Sequence, residues 1–149
     1  LAENCREYVI DDAELERVYK SYPVMWKKKD KKADLCFIGC PHLTYAQLCD
    51  WTDKIAAGLK ASGRKKVAVR TVLTTAPDVA EKFKKTAGYE KLKATGAKLS
   101  SICPLMYTNN PLTKMHRIMT SSNKLRTYSA ARYYKDEEIL AMITGKEGR

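Results

Sequence analysis

A chain of 149 residues that is 44% hydrophobic and 30% charged can bury a core of its own, which excludes a disordered tail and fits one globular domain. No run of about 18 apolar residues could cross a bilayer, and the amino end lacks the charged, apolar and small-residue order of a secretory signal, so the expected compartment is the cytoplasm. The formal net charge of +11 would suit an anionic partner. No helix-turn-helix, zinc-finger or aromatic RNA-binding signature accompanies it, so the lysines read first as solvated surface, with no nucleic acid expected.

Residues 11–22 read as a helix, with Leu15, Val18, Tyr19 and Tyr22 at three- and four-residue steps, Asp11 and Asp12 near its amino end, and Pro23 ending it. The basic run Lys27-Lys28-Lys29-Asp30-Lys31-Lys32 follows as a connector. Residues 1–32 therefore form an amino-terminal helix and linker ahead of an α/β domain over 33–149. Ala33 to Gly39 is a short apolar run typical of a strand covered on both faces. Cys40, Pro41, His42 and Leu43 join it to a helix capped by Thr44, with Gln47 at the capping-box position and Leu48, Trp51, Ile55 and Leu59 on one face.

The strand–helix unit then repeats. Lys66 to Leu73 is β-branched, and Thr75-Ala76-Pro77-Asp78 opens a helix that breaks near Gly88, resumes from Glu90 to Thr95 and stops at Gly96. Ala97 to Ile102 gives a third strand, ending at Cys103-Pro104. A loop with Asn109, Asn110 and Pro111 leads to a fourth strand, His116 to Thr120. Helical patterning resumes over Lys124 to Tyr134 and Asp136 to Ile143. Strands alternating with helices predict a three-layer α/β/α domain, a parallel sheet of about four strands with right-handed crossovers.

Three strand ends carry chemistry, because the carboxyl ends of parallel strands open into the crevice where such folds bind ligands. Cys40 and Cys103 lie about sixty positions apart, too far for a zinc ribbon, but neighbouring parallel strands would bring both thiols to one edge, where they could ligate an iron–sulfur cluster. A free cysteine is as often a small buried hydrophobe, which suits Cys36 and Cys49. The five cysteines, with Cys5, are odd in number and lack secreted-scaffold spacing, so reduced thiols or metal ligands are expected rather than a disulfide framework. His42 reads equally as a general acid or base and as a helix-entry histidine bonded to backbone. Thr120-Ser121-Ser122 before Lys124 reads as a carboxylate or phosphate cradle, or as an ordinary helix cap.

In order and neighbours, these stretches resemble the aconitase X family of iron–sulfur hydro-lyases. The matching residues are Asp34-Leu35-Cys36-Phe37-Ile38-Gly39-Cys40-Pro41-His42-Leu43-Thr44, then Ile102-Cys103-Pro104, then Met119-Thr120-Ser121-Ser122-Asn123-Lys124 with Tyr128 beyond. The resemblance covers about Val9 to Gly145 and the carboxyl-terminal part of the family's large catalytic unit, so a chain beginning at Leu1 is expected to be a piece of a longer protein, inactive alone. It implies dehydration of a small hydroxy acid, of the mevalonate 5-phosphate or cis-3-hydroxy-L-proline class, with a smaller swivelling domain or subunit completing the site. Carried over by residue, it implies cluster ligation by Cys103 and Cys40, catalytic roles for His42, Ser122 and Lys124, and substrate binding by Thr120, Ser121, Ser122 and Lys124. The chain departs from the family pattern in having Ser121 where asparagine is usual, Asn123 at a small-residue position, and no cysteine within Glu137 to Ala141. A third cluster ligand would then come from sequence beyond this chain, from Cys36, or from nowhere, the last implying an incomplete fragment or altered cluster chemistry. Two other readings remain open: a basic module binding RNA or an acidic partner through Lys27 to Lys32 with Tyr22 and Trp26 as stacking groups, and an α/β domain that has lost catalysis.

Overall fold

β1 (Leu35–Leu43) is the middle of the sheet and divides the apolar residues between two layers. Strand side chains alternate, so Cys36 and Ile38 enter one core while Leu35 and Phe37 enter the other. The computed structural model describes residues 4–26, 31–108, 110–111 and 115–145; Lys27 to Asp30 of the basic run and Asn109 of the predicted loop lie outside them.

The amino-terminal helix is α1 (Asp12–Ser21), capped by Asp11, whose carboxylate accepts from the Glu14 N–H at 2.8 Å. α2 (Tyr45–Ser62) has the predicted capping box: Thr44 Oγ1 accepts from the Gln47 N–H at 3.3 Å, and Gln47 Oε1 accepts from the Thr44 N–H at 2.9 Å. Its predicted apolar face, Leu48, Trp51, Ile55 and Leu59, is buried. β2 (Arg70–Thr75) starts later than the β-branched pattern suggested, because the Val67 and Ala68 N–H groups bond instead to the carbonyls of Thr95 (2.9 Å) and Ile143 (2.7 Å). α3 (Pro77–Lys84) and α4 (Ala87–Thr95) are separated at Lys85–Thr86 rather than at Gly88. Gly88 lies inside α4 against the Phe83 ring, where an added Cβ would sit 2.9 Å from Phe83 Cε2.

β3 (Lys98–Ser100), α5 (Pro104–Thr108), β4 (Ile118–Thr120), α6 (Asn123–Thr127), β5 (Arg132–Tyr133) and α7 (Asp136–Thr144) complete the described elements. The sheet has five strands, one more than expected, all parallel, in the order β3-β2-β1-β4-β5. The extra strand comes from residues whose spacing predicted helix. Ser129 Oγ donates to the Leu125 carbonyl at 2.6 Å and accepts from the Ala131 N–H at 3.1 Å, turning the chain so that Arg132 and Tyr133 pair with Met119 and Thr120.

The two layers are unequal. α2 packs on α4 and α7 over a core containing Ile55, Leu73, Phe83, Leu92 and Ile143, whereas the opposite face holds a smaller cluster of Leu35, Phe37, Ile118, Leu125 and Ala131 beside α6. Chain order follows β1 to β2 to β3 in one direction and then returns to β4 on the far side of β1. The strand order thus reverses between β1 and β4, and an open α/β sheet offers its ligand crevice at such a reversal.

Candidate active site

At the carboxyl end of β1, register with β2 is lost between Ile38 and Leu43: Ile38 pairs with Leu73, and Leu43 with Thr75. Residues 39–42 are thereby forced outward as a bulge, which re-aims side chains at a strand end. Gly39 adopts φ +106, a conformation favouring a residue without Cβ, and the Cys40–Pro41 peptide is cis. Two β2 hydroxyls fasten the bulge. Thr74 Oγ1 donates to the Ile38 carbonyl at 3.3 Å and to the Gly39 carbonyl, and Thr75 Oγ1 donates to the Leu43 carbonyl at 2.6 Å.

On the neighbouring strand, β4 ends at Thr120, whose fully buried side chain does not face the crevice: its Oγ1 accepts from the Ser122 N–H at 3.1 Å. Ser122 then caps α6, its Oγ accepting from the Leu125 N–H at 2.9 Å while its hydroxyl proton is left to donate elsewhere. The bulge and this turn meet at the β1–β4 reversal. They form a crevice of about 140 Å³ lined by Gly39, Cys40, Pro41, Ser121 and Ser122, with Gln47 and Trp51 from α2 and Asp136 from α7. Among the described residues its ionisable lining groups are the Cys40 thiol and the Asp136 carboxylate, with no cation beside them. That volume is well below the roughly 300–1,000 Å³ of a pocket enclosing a small molecule, so the crevice alone does not enclose one.

Of the residues singled out in the sequence, the structure therefore gathers Cys40, Ser121 and Ser122 in one crevice. His42 is exposed beyond Pro41 and Lys124 is exposed on α6, and neither lines it. Cys103 is exposed just before α5, on the same edge of the sheet, but β2 stands between its strand and β1. Cys36 is wholly buried in the larger core, and burial, then the Asp136 charge, pushes its thiol pKa well above the usual range. It lies in that core and does not line the crevice. Among the described residues no three His, Cys, Asp or Glu side chains cluster to hold a metal, so Cys40 and Cys103 fit an iron–sulfur cluster only as part of a donor set completed elsewhere.

Sequence reading missed three crevice residues. Gln47 and Trp51 already had structural roles as cap and core. Asp136 was hidden because β5 read as helix, which concealed that Asp136 follows a strand end. The thiols yield a direct test. Iodoacetamide applied to the native chain should alkylate exposed Cys103 readily and leave Cys36 unmodified until urea unfolds the protein, as mass spectrometry of the peptides would read out. Native-state labelling of Cys36 at the rate of Cys103 would contradict the core described here.

Comparison with known proteins agrees with this architecture. A family model of the aconitase X third domain matches residues 33–142. The fold is similar to that of the crystal structure of Thermococcus kodakaraensis aconitase X in its holo form, with TM-score 0.67 and 20% identity over 95% of this chain and 36% of that one. The chain thus spans about a third of the length of that protein. No curated protein matches it in sequence. No helix among the described residues is long and apolar enough to cross a membrane.

Proposed function

Because the chain belongs to the aconitase X family, as a third domain, we propose that it forms one wall of a hydro-lyase active site that removes water from a small hydroxy acid of the mevalonate 5-phosphate or cis-3-hydroxyproline class. The observation that carries this reading is the meeting of Cys40 with Ser121 and Ser122 across the strand-order reversal. The remaining walls come from the rest of a larger catalytic unit and a small swivelling domain or subunit, and the chain alone is inactive. Residues 1–32 serve as helix and linker to the domain over 33–149. Unbridged thiols at Cys36, Cys40, Cys49 and Cys103 suit a reducing compartment such as the cytoplasm.

Cys103 and Cys40 are the residues that would hold an iron–sulfur cluster, together with a ligand from outside the described residues. When bound, it supplies a Lewis-acidic iron for the departing hydroxyl. The hydroxyls of Ser121 and Ser122 donate to the substrate carboxylate, and buried Thr120 acts indirectly by holding the Ser122 amide. His42 and Lys124, exposed at the edge of the wall, turn toward substrate once the opposite wall is present. There the imidazole takes the proton next to the carboxylate and the ammonium steadies the charge that develops.

The test uses the complete catalytic unit containing this chain, reconstituted anaerobically with iron and sulfide. Ser122→Ala should keep the cluster absorption and lower kcat about 100-fold, the scale of losing one donor to developing charge. Ser122→Thr, which retains both cap and hydroxyl, should recover most of the rate, separating chemistry from the cost to α6. Cys103→Ser should lose the absorption. Unchanged turnover in Ser122→Ala together with an intact spectrum in Cys103→Ser would end this reading.

A further inference from the structure

The charge excess has an address. On the helix faces several cations stand beside acids one turn away, Arg17 on Glu14 at 2.5 Å, and Lys54 on Asp50, Lys84 on Glu81 and Lys93 on Glu90, each at 2.7 Å, while Lys82, Lys124 and Arg126 are in no ion pair among the described residues. The other rim of the sheet, where β2 and β3 begin and α2 and α4 end, is different. Lys60, Arg64, Lys65, Lys66, Arg70 and Lys98 are all exposed there, and none has an acidic partner among the described residues. Part of this charge offsets the negative ends of α2 and α4; Lys66 Nζ, for example, donates to the Ala94 carbonyl at 2.9 Å. α7 ends at this rim too, its Ile143 and Thr144 carbonyls accepting from the Ala68 N–H and Ser62 Oγ, and the six cations outnumber the three helix ends.

Between α2 and α4 this rim holds a shallow hollow of about 230 Å³. Its floor is apolar, with Ala56, Leu59 and Ala94, and Lys60, Arg64 and Lys65 stand around it. One border is already neutralised, since Lys91 pairs with Asp53 at 2.8 Å. A phosphate backbone would use the cations and leave the floor empty, and nucleic-acid surfaces that grip single strands add aromatic faces for stacking. The hollow has none. The aromatics considered for that role lie elsewhere and are engaged: Trp26 is 4% exposed, and Tyr22 packs on Tyr19 and Tyr133 with the Arg126 guanidinium 3.9 Å from its ring centroid.

We propose that this rim, at the opposite end of the strands from the crevice, docks an acidic protein segment that sets an apolar side chain in the hollow and its carboxylates on the surrounding cations. Such a surface steers an oppositely charged partner and fixes its register, while the apolar contact supplies affinity that salt does not screen.

The test measures fluorescence anisotropy of labelled poly(Glu,Tyr) and poly-L-glutamate with the 149-residue chain. Both polymers should bind, more weakly as NaCl rises, and poly(Glu,Tyr) should bind more tightly. The rim variant Arg64→Gln/Lys65→Gln/Arg70→Gln/Lys98→Gln should bind at least about tenfold more weakly, in line with the effect of removing several rim charges. A charge-matched control, Lys20→Gln/Lys54→Gln/Lys84→Gln/Lys93→Gln, should stay within about twofold of the parent, and circular dichroism should show both variants folded. Equal losses in the two variants would mean that net charge alone attracts the polymers, and would overturn the proposal. So would RNA of matched length binding more tightly than poly(Glu,Tyr), or no binding at all.

Discussion

Replacing Gly39 by alanine should cost about 2–6 kcal/mol of folding stability and lower the melting temperature by roughly 6–19 °C. Two terms add. At φ +106 an L-residue is held in a sparsely populated backbone region, which costs about 1–3 kcal/mol. The new Cβ would also collide with the Thr74 carbonyl oxygen and lie 2.9 Å from both Thr74 Oγ1 and Leu43 Cγ, adding about 1–3 kcal/mol of overpacking. That carbonyl belongs to β2, which is paired on both sides, so neither partner can yield cheaply. Gly63→Ala separates the terms: Gly63 also has positive φ (+69) but would meet nothing within 4 Å, so its cost should be only about 1 kcal/mol. Urea midpoints for the two variants decide the matter, and a Gly39→Ala chain no less stable than Gly63→Ala would refute the tight approach of β1 to β2. The consequence reaches the crevice. Moving Gly39 displaces Cys40, the next residue, from its place opposite Ser122.

The parts of this fold that could be read from the chain are those where local preference and tertiary packing agree. In α2, the Thr44–Gln47 cap and the Leu48, Trp51, Ile55, Leu59 stripe point the same way, and the helix forms where expected. Where long-range bonds compete, local reading failed. Val67 and Ala68 are β-branched or strand-tolerant, but their amides are taken by α4 and α7, and β2 begins only at Arg70. Arg132 and Tyr133 follow helical spacing, yet an edge of β4 was open to them, and two residues of pairing outweighed a weak helical preference.

The candidate site divides in the same way. Cys40 and Ser122 could be placed together because both lie at strand ends, Cys40 in the last part of β1 and Ser122 just after β4, and strand ends are visible in sequence. Strand order is not visible, and the interposition of β2 between β1, which carries Cys40, and β3, which precedes Cys103, depends on a crossover that no local pattern encodes. The placement of charge is hidden for a related reason. A sequence shows how many lysines there are but not which have carboxylates opposite them, as Lys54, Lys84 and Lys93 do on the helix faces.

Phe83→Ala should destabilise the chain by about 3–5 kcal/mol, with the larger core bearing the loss. Phe83 is fully buried, and its ring meets Tyr45 edge-on at 6.2 Å and Tyr89 at 6.3 Å. Relaxation into the vacated volume is opposed from three sides: α3 ends one residue later, Gly88 approaches the ring with no side chain to extend, and Tyr45 is fixed as the first residue of capped α2. A cavity that cannot collapse incurs the transfer cost and most of the void cost. Phe83→Leu, which keeps most of the volume, should cost only about 1–1.5 kcal/mol, so the gap between the two variants reports the cavity rather than the loss of aromaticity. A double-mutant cycle with Tyr45→Ala should give a coupling of about 0.5–1.5 kcal/mol, the size expected for an edge-to-face pair. Because Tyr45 opens the turn of α2 that carries Gln47 toward the crevice, the same variant should speed hydrogen exchange in the first turn of α2 more than in its last. Uniform exchange along α2, with no coupling to Tyr45, would mean that this aromatic contact does not transmit core packing to the crevice wall.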